Sequence, residues 1–462
     1  KTRISKGFTL IHQIFHSTFI NYEGFKMTSK SWQKCRICGN SHLASIVNLG
    51  NQALSSVFPS PDAPDPSFSP LDLIRCDKSA VPDACGLVQL RDTADLEEMY
   101  GTTYGYFSSI SPTMVAHLTD KVEGLIAYVA PKRGDVVLDI GCNDGTLLNH
   151  YGTEAGLVRV GMDPSAEKFS ANYQSDIRVD YNFFAESGVR KLIGSDSCKI
   201  ITSIAMFYDL DDPLSFIRDI SALLSVDGVW ALELSYLPLF MKQLSYDQTC
   251  HEHVTYLGLR QMEWMFRQCG LKTLEVSLND MNGGSFYLFV GKEEGPYTPD
   301  QSTIDRLVAE ETVLDDPSTY QQLHNRILAH RDDVQNFFKM MNAAGKKVFG
   351  YGASTKGNII LNYCGLGPKE IEAIGDRNPE KDGLVTPGTR IPIISHEKLR
   401  ALQPEYLFVF IWHFRNEVIR DEMEFLRRGG KLIFALPRLH WVDIDNYERY
   451  LDNSFEDQAF LL

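Results

Sequence analysis

The sequence predicts an α/β protein in which a small cysteine-bearing segment precedes two strand–glycine turn–helix units. Three observations predict it. Cys35 and Cys38 form a C-x-x-C ahead of a second pair, Cys76 and Cys85. From Asp135, "DVVLDIGCNDGTLL" sets a glycine turn between a β-branched apolar run and a helical one. From Lys346, "KKVFGYGASTKGNII" repeats that layout. A chain of 462 residues also exceeds what one core supports, so two or three domains are expected.

Composition narrows the function classes. Hydrophobic residues at 44% and charged residues at 23% are ordinary for a globular chain. The formal net charge of −15 argues against general nucleic-acid binding, which wants a basic face. No run of eighteen apolar residues occurs, so no membrane span is expected. Residues 1–30 carry no acid before Glu23 and begin with Lys, with Met27 close ahead of the first domain. They read as an extension, disordered, targeting or foreign, and stand outside the fold. A cytoplasmic location is expected, with organelle targeting left open by that extension.

Residues 31–95 form the first unit. Gly39 behind Cys35 and Cys38 makes the tight knuckle that turns two thiolates toward one ion, and Cys76 and Cys85 complete a set of four. A structural zinc is the expectation, because so short a segment makes a poor core unaided. A C-x-x-C turn beside two buried core thiols is the alternative. Cys142, Cys198, Cys250, Cys269 and Cys364 remain, and are expected to be reduced.

Residues 96–295 form the second unit. Val136–Ile140 reads as a buried parallel strand, Thr146-Leu147-Leu148 opens a helix, and a second strand ends at Asp163. A dinucleotide binder wants G-x-G-x-x-G, with the third glycine admitting the helix to the strand. Here Asp139 precedes Gly141, and Asn143, Asp144 and Gly145 follow, with no pyrophosphate cradle. An acid at the strand end suits a cationic ligand with an amino-acid moiety, and S-adenosylmethionine has both. Asp163, with Pro164 behind it, would take the ribose hydroxyls. Ala205 and Met206 follow the strand at residues 199–203 and join the expected cofactor residues. Further strands in "GVWALEL" and "GSFYLFV" imply an open, largely parallel sheet with helices on both sides.

Residues 296–342 read as a helical connector, 343–445 as a C-terminal Rossmann-like domain and 446–462 as a tail. Gly350, Gly352 and Gly357, with Asp376 ending the next strand, would suit NAD read alone. Lys356 in that turn, Asn358 behind it, and Arg377 and Lys381 in the following loop look more like a surface for a phosphorylated substrate.

The stretch "CHEHVTYL" sets His251, Glu252 and His253 side by side. Zinc proteases place two histidines four apart on one helix face, and these are two apart. On a strand His251 and His253 would share a face. Metal ligands, an acid/base cluster and a plain polar loop all stay open on spacing alone. His117, His150 and His440 have no supporting context and read as structural or surface residues.

In order along the chain, "CRICG", "RCDKSAVPDACGLVQL", "YGYFSSISPTM", "LDIGCNDGTLL", "AMFYDLDDP", "CHEHVTYL", "GYGASTKGN" and "DRNPEKDG…TPGTRIPI" resemble the sugar C-methyltransferases of deoxysugar pathways. The resemblance covers roughly Lys34 to Leu439. It implies an N-terminal zinc domain, a central class I S-adenosylmethionine domain and a C-terminal Rossmann-like domain around one active site. It implies a nucleotide-linked 4-keto sugar as substrate, methylated at C3 through an enolate. His253 is then the base, Glu252 its acidic partner, and His251 a less secure member. Tyr104 and Tyr106 face the same pocket, and Asn282 sets a polar group near the substrate. Tyr106, His251 or Asn282 would donate to the enolate oxygen. Well-known members carry tyrosine where this chain has Cys250, so that tyrosine's role does not transfer. A monomer without nucleic-acid or membrane partners is expected. The alternatives are a methyltransferase acting on another small acceptor and a non-catalytic zinc-bearing relative.

Overall fold

Val136–Ile140, buried along its whole length, lies inside a seven-stranded sheet. The computed structural model describes residues 29–79, 81–94, 98–99 and 107–452, so Tyr104 and Tyr106 lie outside the described residues. Across the sheet the strands run Leu271–Asn279, Ser285–Lys292, Leu224–Ser235, Cys198–Ile204, Val136–Ile140, Val158–Met162 and Arg178–Asp180. All neighbours are parallel except Ser285–Lys292, which pairs antiparallel on both sides. The chain winds outward from Val136–Ile140 to one side and returns through Cys198–Ile204 on the other. The strand ends at Gly141 and Ala205 therefore flank the crevice where open α/β sheets bind ligands.

The expected second α/β unit is a six-stranded sheet of the same logic. Its order is Ile393–Ser395, Ile374–Asp376, Val348–Tyr351, Tyr406–Val409, Lys431–Phe434 and His440–Val442, parallel apart from the last strand. The winding reverses between Val348–Tyr351 and Tyr406–Val409, so a second crevice opens beside Gly352 and the residues after Val409. Packing alone accounts for two glycines here. A Cβ at Gly350 would lie 2.6 Å from Ile374, and one at Gly357 2.7 Å from the Phe410 side chain.

The N-terminal unit is an antiparallel sheet of Leu43–Ala53, Phe68–Cys76 and Val88–Leu90, and its fourth strand comes from elsewhere. Thr255–Tyr256, directly after the histidine cluster, pairs with Val88 and Gln89. Leu90 N donates to Val254 O at 2.9 Å and Val254 N to Tyr208 O at 3.0 Å, which stitches the cluster to both sheets.

The helix Pro317–Ala343 begins where Asp316 caps the backbone N–H of Ser318, and it buries Tyr320, Leu323, Ile327, Val334 and Phe338 at helical spacing. It ties the units together. His324 Nδ1 reaches Ile46 O at 2.9 Å in the N-terminal sheet. Tyr246 Oη donates to His330 Nδ1 at 3.0 Å while His330 Nε2 donates to Ala435 O at 2.7 Å. One apolar core accordingly runs from Leu71 and Leu73 through this helix to Phe408 and Ile433. No described helix is long and apolar enough to cross a membrane.

Candidate active site

The first crevice holds a cavity of about 280 Å³ lined by Asp139, Gly141, Asn143, Asp163, Ala205 and Met206, with Pro164 also on its wall. Gly141 turns at φ +76°, and a Cβ there would come within 3.2 Å of Met206 Cγ. Any side chain would fill the cradle that an adenosyl amino acid needs. Asp163 accepts from Asn143 N at 2.8 Å and Ser165 N at 2.6 Å, which fixes the carboxylate at the strand end. Asp139 accepts from Thr202 Oγ1 at 2.6 Å, and burial raises its carboxyl to about 7. Asp144 and Gly145 do not line this cavity. Asp144 instead holds Ser109 N at 2.9 Å and the Thr146 hydroxyl at 2.7 Å, and a Cβ at Gly145 would strike the Tyr173 ring.

Glu233, which sequence reasoning missed, also lines the cavity. Burial raises its carboxyl, but His117 and Lys121 outweigh that and hold it below the usual range. Their contacts are 2.6 and 2.9 Å. His117 is therefore one side chain removed from the cofactor cavity rather than an incidental histidine. The signal was available, because Glu233 sits near the carboxyl end of the strand read from "GVWALEL".

A second cavity, about 290 Å³, lies between the two crevices. Phe58 from the N-terminal unit, Tyr208, Glu252 and His253 from the central one, and Lys356 and His413 from the C-terminal one all line it. Ala205, Asp209 and Asn282 line both cavities, so the two meet there. Asn282 adopts φ +56° in the turn Met281–Gly283, and its carbonyl accepts from Gln248 Nε2 at 3.1 Å and Lys356 Nζ at 3.2 Å.

The three residues of the cluster separate. They occupy a turn rather than a strand, with His253 N bonded to Cys250 O at 3.1 Å. Glu252 and His253 face the cavity, and Ser55 Oγ donates to Glu252 at 3.5 Å. His251 turns away, with Nδ1 3.4 Å from the Ser55 hydroxyl and Nε2 donating to Ser69 O at 3.2 Å. It braces the N-terminal unit and lines neither cavity. The His253 ring packs on Tyr208 at 4.2 Å. Burial, then the Lys356 ammonium, pushes its imidazole down to about 3, opposed by a bond to the Gln248 backbone.

Of the residues expected to hold substrate, Lys356, Arg377 and Lys381 line the cavity and Asn358 does not. Asn358 Nδ2 donates to Ser55 O at 2.7 Å, joining C-terminal and N-terminal units. Arg377 is already paired with Glu417 and Asp421. Lys381 donates to Ala353 O at 2.7 Å and lies 4.4 Å over the Phe58 ring.

Cys35, Cys38, Cys76 and Cys85 converge as expected, with all four Sγ atoms within 4.8 Å of one another. That donor set and span suit one tetrahedral metal ion. Asn40 Nδ2 donates to Cys76 Sγ at 3.3 Å. Between the knuckle cysteines, the buried Arg36 donates to Leu90 O at 2.5 Å and Thr93 Oγ1 at 2.8 Å, and reaches Asp211 at 3.4 Å. Asp211 lines the cofactor cavity, so the knuckle supports that cavity's rim.

Three family models match the chain in tandem. "Putative zinc binding domain" covers residues 35–100, "Methyltransferase domain" 114–276 and "C-methyltransferase C-terminal domain" 280–437. The C-methyltransferase NovU of Streptomyces niveus is 29% identical over 408 residues, spanning 87% of this chain and 95% of that protein. Among solved structures, an S-adenosylmethionine-dependent methyltransferase from Clostridium acetobutylicum aligns at 13% identity over 38% of this chain and 92% of its own, TM-score 0.30. The 1,6-didemethyltoxoflavin-N1-methyltransferase of Burkholderia thailandensis aligns at 16% over 39% and 80%, also at 0.30. Those two similarities are too low to add to the fold described above. With an open α/β sheet, a cavity at its switch point and the tandem matches, the chain is an S-adenosylmethionine-dependent methyltransferase related to the C-methyltransferase NovU.

Proposed function

We propose that the enzyme methylates carbon C3 of a nucleotide-linked 4-keto deoxysugar, with His253 as the base. The observation that carries this reading is the meeting of two cavities. His253 and Glu252 line one, the cofactor residues line the other, and Ala205, Asp209 and Asn282 join them. A ketone acidifies the neighbouring C–H because the electron pair left behind delocalises onto oxygen. The His253 imidazole accepts that proton, C3 becomes nucleophilic, and the new C–C bond forms at the junction. Bound S-adenosylmethionine supplies the methyl electrophile and leaves as the neutral thioether. Glu252, next to His253, stabilises the imidazolium that forms. Arg377 and Lys381, from the C-terminal unit, are assigned to the substrate's phosphates. Tyr104 and Tyr106 are assigned to the sugar. One zinc held by Cys35, Cys38, Cys76 and Cys85 is assigned a structural role.

The test has two arms. Calorimetric titration with S-adenosylhomocysteine and with NAD is expected to show micromolar binding of the first alone. With S-adenosylhomocysteine bound, a 4-keto-6-deoxysugar nucleotide in D₂O is expected to take up deuterium at C3. NAD binding instead would move the cofactor to the Gly352 turn. S-Adenosylhomocysteine binding without exchange on any keto sugar would favour a different methyl acceptor.

A further inference from the structure

We propose that Lys356 and His413 are two further catalytic residues, an oxyanion pole facing the substrate carbonyl across the cavity from His253. The proposal rests on the enolate reading above and names the groups that receive its charge.

Both residues stand at the C-terminal sheet's own switch point, Lys356 in the first turn of the helix Thr355–Cys364 and His413 just after the strand Tyr406–Val409. Each lines the cavity that holds His253. Lys356 is a buried ammonium whose hydrogen bond goes to Asn282 O at 3.2 Å, and among the described residues it has no carboxylate in ion-pair contact. Burial disfavours the ammonium, the field of Asp247 opposes that, and the N–H donors not used on Asn282 are left for a ligand. Asp247 is the acid whose field it feels, without ion-pair contact: Asp247 Oδ2 accepts from Trp412 Nε1 at 2.8 Å, Oδ1 has no hydrogen-bond partner among the described residues, and burial raises the carboxyl to about 6.

His413 is held rigidly. It belongs to the turn Trp412–Phe414, and the Trp412 ring is pinned by Asp247 and by Gly283, where a Cβ would lie 2.7 Å from it. His413 Nδ1 is buried with no hydrogen-bond partner among the described residues. Burial, then Lys356, lowers both the His413 and the His253 imidazoles, so the ammonium acts on the two rings from the same cavity. A neutral imidazole N–H and an ammonium together make a strong donor pair in a site with little water.

The chemistry requires such a pole. A base depressed this far is too weak to take a carbon-bound proton unless the enolate is stabilised in the same step. Lys356 does both: its charge weakens His253 in the free enzyme and meets the enolate as it forms, after which His253 holds its proton more firmly. The proton goes to His253, the electron pair to the carbonyl oxygen, and methyl transfer regenerates the ketone. A diphosphate on Lys356 is disfavoured by position. Its partner Asn282 lines the junction of the two cavities, where the reacting carbon must sit.

The experiment measures deuterium wash-in at C3 of dTDP-4-keto-6-deoxyglucose with S-adenosylhomocysteine bound. Lys356→Met and His413→Ala are each expected to slow exchange by about 10²-fold or more. The sugar nucleotide's Kd should hold, and His413→Asn, which keeps a donor, should restore part of the rate. Retained S-adenosylhomocysteine binding verifies that each variant is folded. A raised Kd with an unchanged exchange rate would make Lys356 a phosphate ligand and overturn the pole. If the wild type exchanges no keto sugar, the enolate reading fails, and the pole is judged by NMR titration without substrate. Lys356→Met should then raise the His413 titration midpoint toward an ordinary imidazole. An unmoved midpoint overturns it.

Discussion

At the residue scale the cluster Cys250–His253 shows how burial assigns roles to like groups. His251 and His253 are two positions apart, yet the turn sends one ring into the N-terminal unit and the other to the cavity. The strand geometry that would have aligned them begins only at Thr255. His253 is held neutral, because burial and Lys356 both oppose the imidazolium. Its lowered value means the base form persists as pH falls through 6.5, where an ordinary histidine would be half protonated. We predict that kcat/KM shows no inflection near 6.5 attributable to this residue. We also predict that His253→Asn loses about 10²-fold or more in turnover, as removal of a general base should, with S-adenosylhomocysteine affinity kept. A variant of near-normal rate would remove His253 from the base role.

At the scale of elements, the cysteine knuckle supports more than its own loop. Arg36 projects from between Cys35 and Cys38, donates to Leu90 and Thr93, and reaches Asp211 on the wall of the first cavity. Val88–Leu90 in turn pairs with the strand that follows His253. Zinc analysis is expected to find one ion per chain in the wild type and little in Cys35→Ser. The variant's unfolding midpoint should be lower by roughly 5 °C or more. A wild type free of metal would eliminate the tetrathiolate role. These elements were legible in the sequence to different depths. The cysteines and both glycine turns were readable because local spacing defines them. His413 and Asp247 were not, because each owes its place to strand order rather than to neighbours. Asn358 was misread for the same reason: it follows the glycine turn as a ligand-binding residue would, but its helix faces Ser55.

At the scale of the whole molecule, the three units line one cavity, and packing within and between them shifts ionisable groups. Burial pushes His253 down to about 3, and His396 and His440 each to about 4. It acts oppositely on carboxyls, raising Asp139 to about 7 and Asp247 to about 6. The two sets have opposite consequences for stability. Below pH 6.5 the unfolded chain binds a proton at each of the three histidines that the folded chain refuses, so stability falls as pH falls toward their folded values. Between about pH 7 and 4 the folded chain holds protons on Asp139 and Asp247 that the unfolded chain releases, so acidification works in their favour. His251, His330 and His413 are lowered by burial as well, so the imidazole side is expected to prevail over pH 6.5 to 4.5 and stability to fall. The unfolding midpoint should therefore decline across that window, before the exposed carboxylates begin to titrate. His253→Asn, which removes one of the three, should flatten the decline at the same time as it abolishes turnover. A midpoint constant or rising over that window would mean that the histidines are solvated.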